Sequence, residues 1–241
     1  MIFEIFLLCL LTLLASGIGT ATGFGLSTIL IPVMVLFAPM PVVLLFVGII
    51  HLFGDLWKVM LFKKGFDWKL IIGFGLAGIA ASFLGASFSL KVQVLPLKRI
   101  LGGFMVLYVA FLFLKRDWAL PKNNGTAVCG GLLSGLFAGF FGVGGAVRGA
   151  FLTAFDLPKA VYVFTSGLIA LFIDVTRITR YVWGGTRLES SLLITLLFCI
   201  PVSFAGAYIA KKFLDRLPQT FFRNFIGIVL ALVGLKLLIW S

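Results

Sequence analysis

The sequence predicts an all-α protein that crosses a membrane several times and consists of two homologous halves. Of its 241 residues, 61% are hydrophobic and only 12% are charged, and the mean hydropathy is +1.19. A soluble core of this size could not bury so much apolar surface. Long apolar runs recur along the chain, as expected where lipid is the solvent. A glycine-rich interruption occurs twice, at 23–25 and at 142–145.

The two interruptions belong to a longer repeat. An offset of 119 residues pairs Gly23 with Gly142, Gly25 with Gly144, Asp55 with Asp174, and Lys58 with Arg177. We therefore predict a first repeat over residues 1–120 and a second over residues 121–241, which together form one transmembrane domain. A broken helix that is duplicated together with intramembrane charges is typical of secondary transporters.

Each half is predicted to contain one glycine-broken segment followed by three helices. In the first half, apolar pieces at 2–22 and 26–37 flank the break, and the helices are expected at 42–62, 68–90 and 97–114. In the second half, pieces at 126–141 and up to residue 155 flank the break, and the helices are expected at 159–182, 189–210 and 219–240. The polar stretch 121–125 links the halves.

The broken segments can be arranged in two ways. If each one spans the membrane, loop lysines and arginines divide almost evenly between the two sides. If each one enters and leaves on the same side, more of these cations lie on one side than on the other. Cytoplasmic loops usually carry such an excess of lysine and arginine. Re-entrant segments are therefore predicted, and with them inverted repeats, whereas spanning segments would make the two halves point the same way.

The two breaks are predicted to bind an anion, with close helix packing at the glycines as the alternative. A helix that starts inside the membrane offers free N–H groups and a partial positive charge, and it is tolerated only where it is buried in protein or lines a cavity. The arginine near the second break adds a bidentate oxyanion donor that stays charged, unless it instead pairs with Asp156 or Asp174. The candidate substrate-binding residues are Thr22, Gly23, Gly25, Gly142, Gly144, Gly145, Arg148, Thr165 and Ser166, with Thr20, Ser27 and Thr28 as further neutral donors.

A second group of candidates lies on the helix after each break. Asp55 and Lys58 share one helix face, as do Asp174 and Arg177. Charges inside a bilayer are expected to face the protein interior and to pair. His51, the sole histidine, precedes Asp55 by one turn and has an ordinary pKa near neutrality, which suits proton transfer. We predict that these five residues serve in coupling or gating, with structural ion pairs as the alternative.

Other classes of function find little support in the sequence. The net charge of +12 comes largely from lysines and arginines in short loops, which favours contact with lipid head groups over nucleic acid. The cysteines at 9, 129 and 199 lie in apolar runs without metal-ligand spacing, so neither a metal nor a cofactor is expected. A single histidine and the lack of a Ser/His/Asp arrangement argue against an enzyme. No phosphate-binding loop for ATP is present.

The glycine-rich segments resemble a known family. The stretch 134–145, SGLFAGFFGVGG, followed by Thr165 and Ser166, is similar to the second-half signature of the TauE/SafE family, and residues 16–25 resemble its first-half copy. The first break departs from the family pattern, since it reads Gly-Phe-Gly in place of a longer glycine run. The resemblance implies transport of a small sulfur-containing anion, such as sulfite, a sulfonate or sulfoacetate, across the bacterial inner membrane.

These observations together predict a multi-pass secondary transporter that works by alternating access around a midplane site between the two broken helices. An anion channel, or an uptake transporter for another small organic anion, is the alternative. The expected partners are the anion, the lipid bilayer, a proton or sodium ion that is coupled to transport, and a second copy of the chain in a homodimer.

Overall fold

The computed structural model describes residues 2–22, 25–63, 65–92, 94–114, 120–213, 228, 231–232 and 235–239. Gly23, the side chain of Thr22 and most of the predicted helix 219–240 lie outside this part of the chain. The described part is helical and contains no strand, which confirms the all-α class. Its α-helices are α1 (Ile2–Thr22), α2 (Leu26–Met34), α3 (Met40–Leu61), α4 (Trp68–Ser89), α5 (Val94–Leu114), α6 (Asn124–Phe141), α7 (Gly144–Leu152), α8 (Lys159–Trp183) and α9 (Ser190–Phe213).

Within the described residues, six helices are long and apolar enough to cross a membrane, namely α1, α3, α4, α6, α8 and α9. α3 has 22 residues and is therefore about 33 Å long, which matches a hydrocarbon core of about 30 Å. The nine residues of α2 and of α7 give only about 13 Å each, too short to cross. The chain is thus a multi-pass membrane protein with two short helices inside it.

The helices begin and end within a few residues of the predicted positions because local signals fix their ends. The carboxylate of Asp67 accepts the backbone N–H of Leu70 at 3.1 Å and so caps the start of α4. The side chain of Asn123 does the same for the N–H of Thr126 at 2.8 Å at the start of α6. At its other end α6 stops at Gly142, whose φ of 76° lies in the left-handed region that favours glycine.

The second break reverses the direction of the chain. A methyl group on Gly144, at the start of α7, would collide with the carbonyl oxygen of Ser134 and with Ala138 on α6. Further along α7, Phe151 lies against Gly130, which is nearer the start of α6. α7 therefore runs back along α6. At the first break, Gly25, with a φ of 137°, packs against Gly19 on the preceding helix.

The equivalent helices α3 and α8 cross antiparallel at the centre of the molecule. A methyl group on Gly48 would lie 3.2 Å from Ile178, and one on Gly167 would lie 3.6 Å from Val59. The offset of 119 residues converts the first contact into the second. Equivalent helices that pack antiparallel are what inverted repeats require. The packing agrees with the predicted inversion, and the boundary near residue 120 stays a prediction.

Helix directions also support the re-entrant arrangement of the second break. α4 runs parallel to α6, because Phe74 faces Gly131 while Ser82 faces Gly139. α4 also runs parallel to α8, where Ser82 donates to the carbonyl of Ile173 and Leu90 packs against Gly184. α6 and α8 therefore point the same way, and α7 returns between them. A segment that spanned the membrane would make them point in opposite directions.

The remaining packing exchanges helices between the halves. α4 packs along α6, and α1 packs along α9. The repeat offset relates these two pairs, because it matches α1 with α6 and α4 with α9. Glycines bring these backbones into contact: a methyl group on Gly135 would overlap the carbonyl oxygen of Gly78, and one on Gly206 would lie 2.5 Å from the carbonyl oxygen of Leu13. Nearly all of α2 is buried between its neighbours, while α1 and α9 expose apolar side chains such as Phe6 and Leu197.

We expect Gly135→Ala to destabilise the fold, because the added methyl group meets backbone that cannot move aside. Overpacking typically costs about 1–3 kcal/mol. Gly75→Ala is the matched control on α4, since a methyl group there has no neighbour within 4 Å and alanine favours the helix. Thermal unfolding in detergent measures both. Equal melting temperatures for the two variants would contradict the backbone contact.

Candidate functional site

Both breaks end at the crossing of α3 and α8. A methyl group on Gly54 of α3 would lie 3.0 Å from Leu26, the first residue of α2. One on Gly142 would lie 3.0 Å from Leu44 of α3 and 3.3 Å from a terminal guanidinium nitrogen of Arg177 on α8. Gly54 lies near the middle of α3. Leu44 and Gly54 lie on either side of the middle of α3, so the two breaks approach this helix at levels about 15 Å apart.

The short helices start without a side-chain cap. Gly25 precedes α2 and Val143 precedes α7, and neither position supplies a side-chain hydrogen bond to the helix. The first N–H groups of both helices are thus left for another acceptor. Gly25, Gly142, Gly144 and Gly145 are all buried, so these four predicted glycines lie within the protein, as a break inside a membrane requires.

Arg148 is the buried cation at the second break. It lies on α7 and is only 1% exposed. Its Nε donates to Oγ of Ser166 at 3.0 Å, while its Nη2 has no hydrogen-bond partner. Oγ1 of the neighbouring Thr165 is also buried and unpartnered. The alternative pairing with Asp156 or Asp174 is not formed. A buried guanidinium N–H without an acceptor costs about 1–3 kcal/mol or more, so the site suits a ligand that supplies one.

The predicted ion pairs on α3 and α8 are both present. Nζ of Lys58 lies 2.9 Å from Oδ1 of Asp55, and Nε of Arg177 lies 2.7 Å from Oδ1 of Asp174. All four side chains are almost completely buried. They therefore do not reach to the head groups, and each cation neutralises a carboxylate inside the protein.

His51 joins the two ion pairs. Its Nδ1 lies 2.5 Å from Oδ2 of Asp174 and 2.9 Å from Oδ2 of Asp55, one carboxylate from each half. Because both neighbours are acceptors, Nδ1 is assigned the proton, and its one hydrogen bond goes to Asp174. Oδ2 of Asp55 and Nε2 of His51 then have no hydrogen-bond partner. The imidazole is placed so that one more proton would offset both carboxylates.

The same three side chains could also approach a metal ion. One ligand atom from each of His51, Asp55 and Asp174 lies within 4.8 Å of the others. The second oxygen of each carboxylate, however, is already bound by a cation from Lys58 or Arg177. Two cations beside the cluster oppose a divalent ion more strongly than a proton. The absence of a metal site stays a prediction.

The two groups of candidate residues are neighbours. A methyl group on Gly167, beside Ser166, would lie 3.1 Å from Cβ of Lys58 and 3.3 Å from the carbonyl oxygen of Asp55. Arg148 also acts electrostatically on the Asp55 carboxylate. The anion-binding candidates and the coupling candidates therefore form one buried centre, although their roles stay predictions.

Further polar groups line the breaks. Tyr181, one turn after Arg177, donates its hydroxyl to the carbonyl of Gly139 at 2.5 Å. Tyr181 and Ser134 were not among the predicted site residues. A tyrosine four residues after an intramembrane arginine was the available signal for the first, and a hydroxyl in the glycine-rich stretch for the second. The buried hydroxyls without a hydrogen-bond partner near the breaks belong to Thr20, Ser27, Thr28 and Ser134.

Comparison with known proteins identifies a family. The family model for sulfite exporter TauE/SafE matches residues 8–237, nearly the whole chain. No curated protein and no solved structure shows significant similarity to this chain. The match covers both breaks and the helices that carry the buried charges, as the resemblance of the glycine-rich segments implied.

We expect Lys58→Met or Asp55→Asn alone to destabilise the fold by about 3–5 kcal/mol, because each leaves a buried charge without its partner. The double variant should be less destabilised than the sum of the two, with a coupling of about 0.5–3 kcal/mol. Thermal unfolding in detergent measures all three. Lys69→Met, at an exposed position, is the control and should leave the melting temperature unchanged. Strictly additive effects would mean that the pair does not interact.

Proposed function

The chain belongs to the TauE/SafE sulfite exporter family, and we propose that it is a secondary transporter for one small sulfur-containing anion of the sulfite, sulfonate or sulfoacetate class. We place it in the bacterial inner membrane. The observation that carries the proposal is Arg148, a buried arginine with an unpartnered Nη2 beside an uncapped helix start. An oxyanion would supply both the missing charge and the missing acceptors.

The charges at the centre favour an anionic substrate. Three cations, Lys58, Arg148 and Arg177, face two carboxylates, Asp55 and Asp174, among the described side chains at the helix crossing. A bound monoanion would balance this charge when the histidine is neutral. Each charge-assisted hydrogen bond that it accepts contributes about 1.5–3 kcal/mol. The neighbouring hydroxyls offer further neutral donors.

The antiparallel crossing of α3 and α8 suits alternating access. Lys58 lies toward the end of α3, and Arg177 lies toward the end of α8. Because the two helices are antiparallel, the cations of the two ion pairs lie on opposite sides of His51. We propose that each pair closes the path from one face of the membrane while the substrate is held between them. A channel would need no such exchange.

We propose the proton as the coupling ion. An anion at Arg148 would meet the negative charge of Asp55, which lies within the electrostatic reach of the arginine. A second proton on His51 would offset that repulsion, because Nδ1 already lies between the two carboxylates. Binding of the anion and of the proton would then favour each other. Sodium, the alternative, prefers oxygen ligands without a ring nitrogen among them.

We expect Arg148→Gln to weaken anion binding about 10- to 100-fold, since one or two charge-assisted hydrogen bonds are lost. Radiolabelled sulfite uptake and counterflow in proteoliposomes measure binding and exchange together, and counterflow distinguishes a transporter from a channel. Arg187→Gln is the matched control, because that exposed arginine donates to the nearby backbone carbonyls of Val182 and Thr186. Unchanged sulfite affinity in folded Arg148→Gln protein would refute the proposed site.

We expect His51→Asn to uncouple transport from the proton gradient, because asparagine keeps a donor near Nδ1 but does not titrate. Exchange of anion for anion should persist, while accumulation driven by a pH difference is lost. A pH-sensitive dye trapped in proteoliposomes follows the accompanying protons. Proton movement in this variant at the wild-type rate would show that the coupling group lies elsewhere. Accumulation driven by a sodium gradient would show that the proton is not the coupling ion.

A further inference from the structure

A groove on the outer surface of the bundle contains none of the candidate site residues. It runs between the C-terminal parts of α4 and α8 and encloses a cavity of about 500 Å³. One wall carries Phe83, Leu84 and Phe88 of α4. Leu84 and Phe88 are 54% and 57% exposed. An apolar face of this kind on a membrane protein is turned toward acyl chains.

Two cations stand at one end of the groove. Arg180 donates from Nε to Oγ of Ser87 at 2.7 Å, and its guanidinium carbon lies 5.8 Å from the centre of the Phe83 ring. These contacts hold the guanidinium over the groove and leave its terminal nitrogens for another acceptor. Lys91, just past the end of α4, lines the same cavity. Among the described residues, no carboxylate forms an ion pair with either cation.

An exposed tryptophan lies next to these cations. Trp183, the last residue of α8, is 75% exposed and lines the groove. Tryptophan at the end of a membrane helix is typical of the head-group level. The groove thus passes from a cationic end at the membrane surface to an apolar wall at the depth of the acyl chains.

We propose that this groove binds one anionic phospholipid, with its phosphate on Arg180 and Lys91 and an acyl chain along Phe83, Leu84 and Phe88. The charge of the groove selects the lipid: two cations without carboxylate partners match a head group that keeps a net negative charge, and a zwitterionic head group places a cation beside them. The lipid would connect α4 to α8, the helix that carries Asp174 and Arg177.

The test uses the full chain purified in detergent and titrated with phosphatidylglycerol that carries brominated acyl chains. Bromine quenches tryptophan at contact, so we expect saturable quenching of the part of the fluorescence that Trp183→Phe removes. Brominated phosphatidylcholine should quench this part only at much higher concentration. Equal quenching of this part by the two lipids, or saturable quenching that Trp183→Phe does not reduce, would overturn the proposal.

Charge variants test the head-group contact. We expect Arg180→Gln and Lys91→Gln each to weaken quenching by phosphatidylglycerol about fivefold, and the double variant about 30-fold. Lys69→Gln, at the exposed start of the same helix, is the matched control and should not change it. Inorganic phosphate should not compete at millimolar concentration. Competition by phosphate, or charge variants that bind like the wild type, would mean that the groove is not a lipid site.

Discussion

The arrangement of the buried centre depends on one constraint: charges placed inside a membrane protein must be compensated within the bundle. Two carboxylates at the crossing of α3 and α8 would repel each other strongly in a medium of low dielectric constant. Lys58 and Arg177 each neutralise one of them, and the protonated Nδ1 of His51 lies between the two. The antiparallel register of α3 and α8 makes this contact possible, because it brings one carboxylate from each half to the same imidazole.

The two halves share a framework but contribute different chemistry to it. Ile29 occupies the position equivalent to Arg148, and Ala170 the position equivalent to His51. The second half thus supplies the extra cation, and the first half supplies the titrating group. Their helices meet at one crossing, so both groups lie in a single buried centre. On the proposed roles, the two halves form one asymmetric site instead of two equal ones.

Much of the fold follows from the sequence, because apolar runs and the repeat offset locate the helices within a few residues of their ends. The candidate residues also lie together, since charges in lipid must face inward. The bond between His51 and Asp174 could not be predicted, because it depends on the register in which α3 crosses α8. Tyr181 was missed for a similar reason: its acceptor is a backbone carbonyl on another helix, and no sequence pattern marks that contact.

The glycine contacts between α4 and α6 have a mechanical consequence. Where one backbone touches another, neither helix can slide or rotate without a collision, so the pair moves as a rigid body. The same holds for α1 and α9 at Gly206. Each of these rigid bodies contains one helix from each half of the chain. The proposed repeats therefore differ from these packed pairs, and we expect relative movement to occur in the connections of α3 and α8.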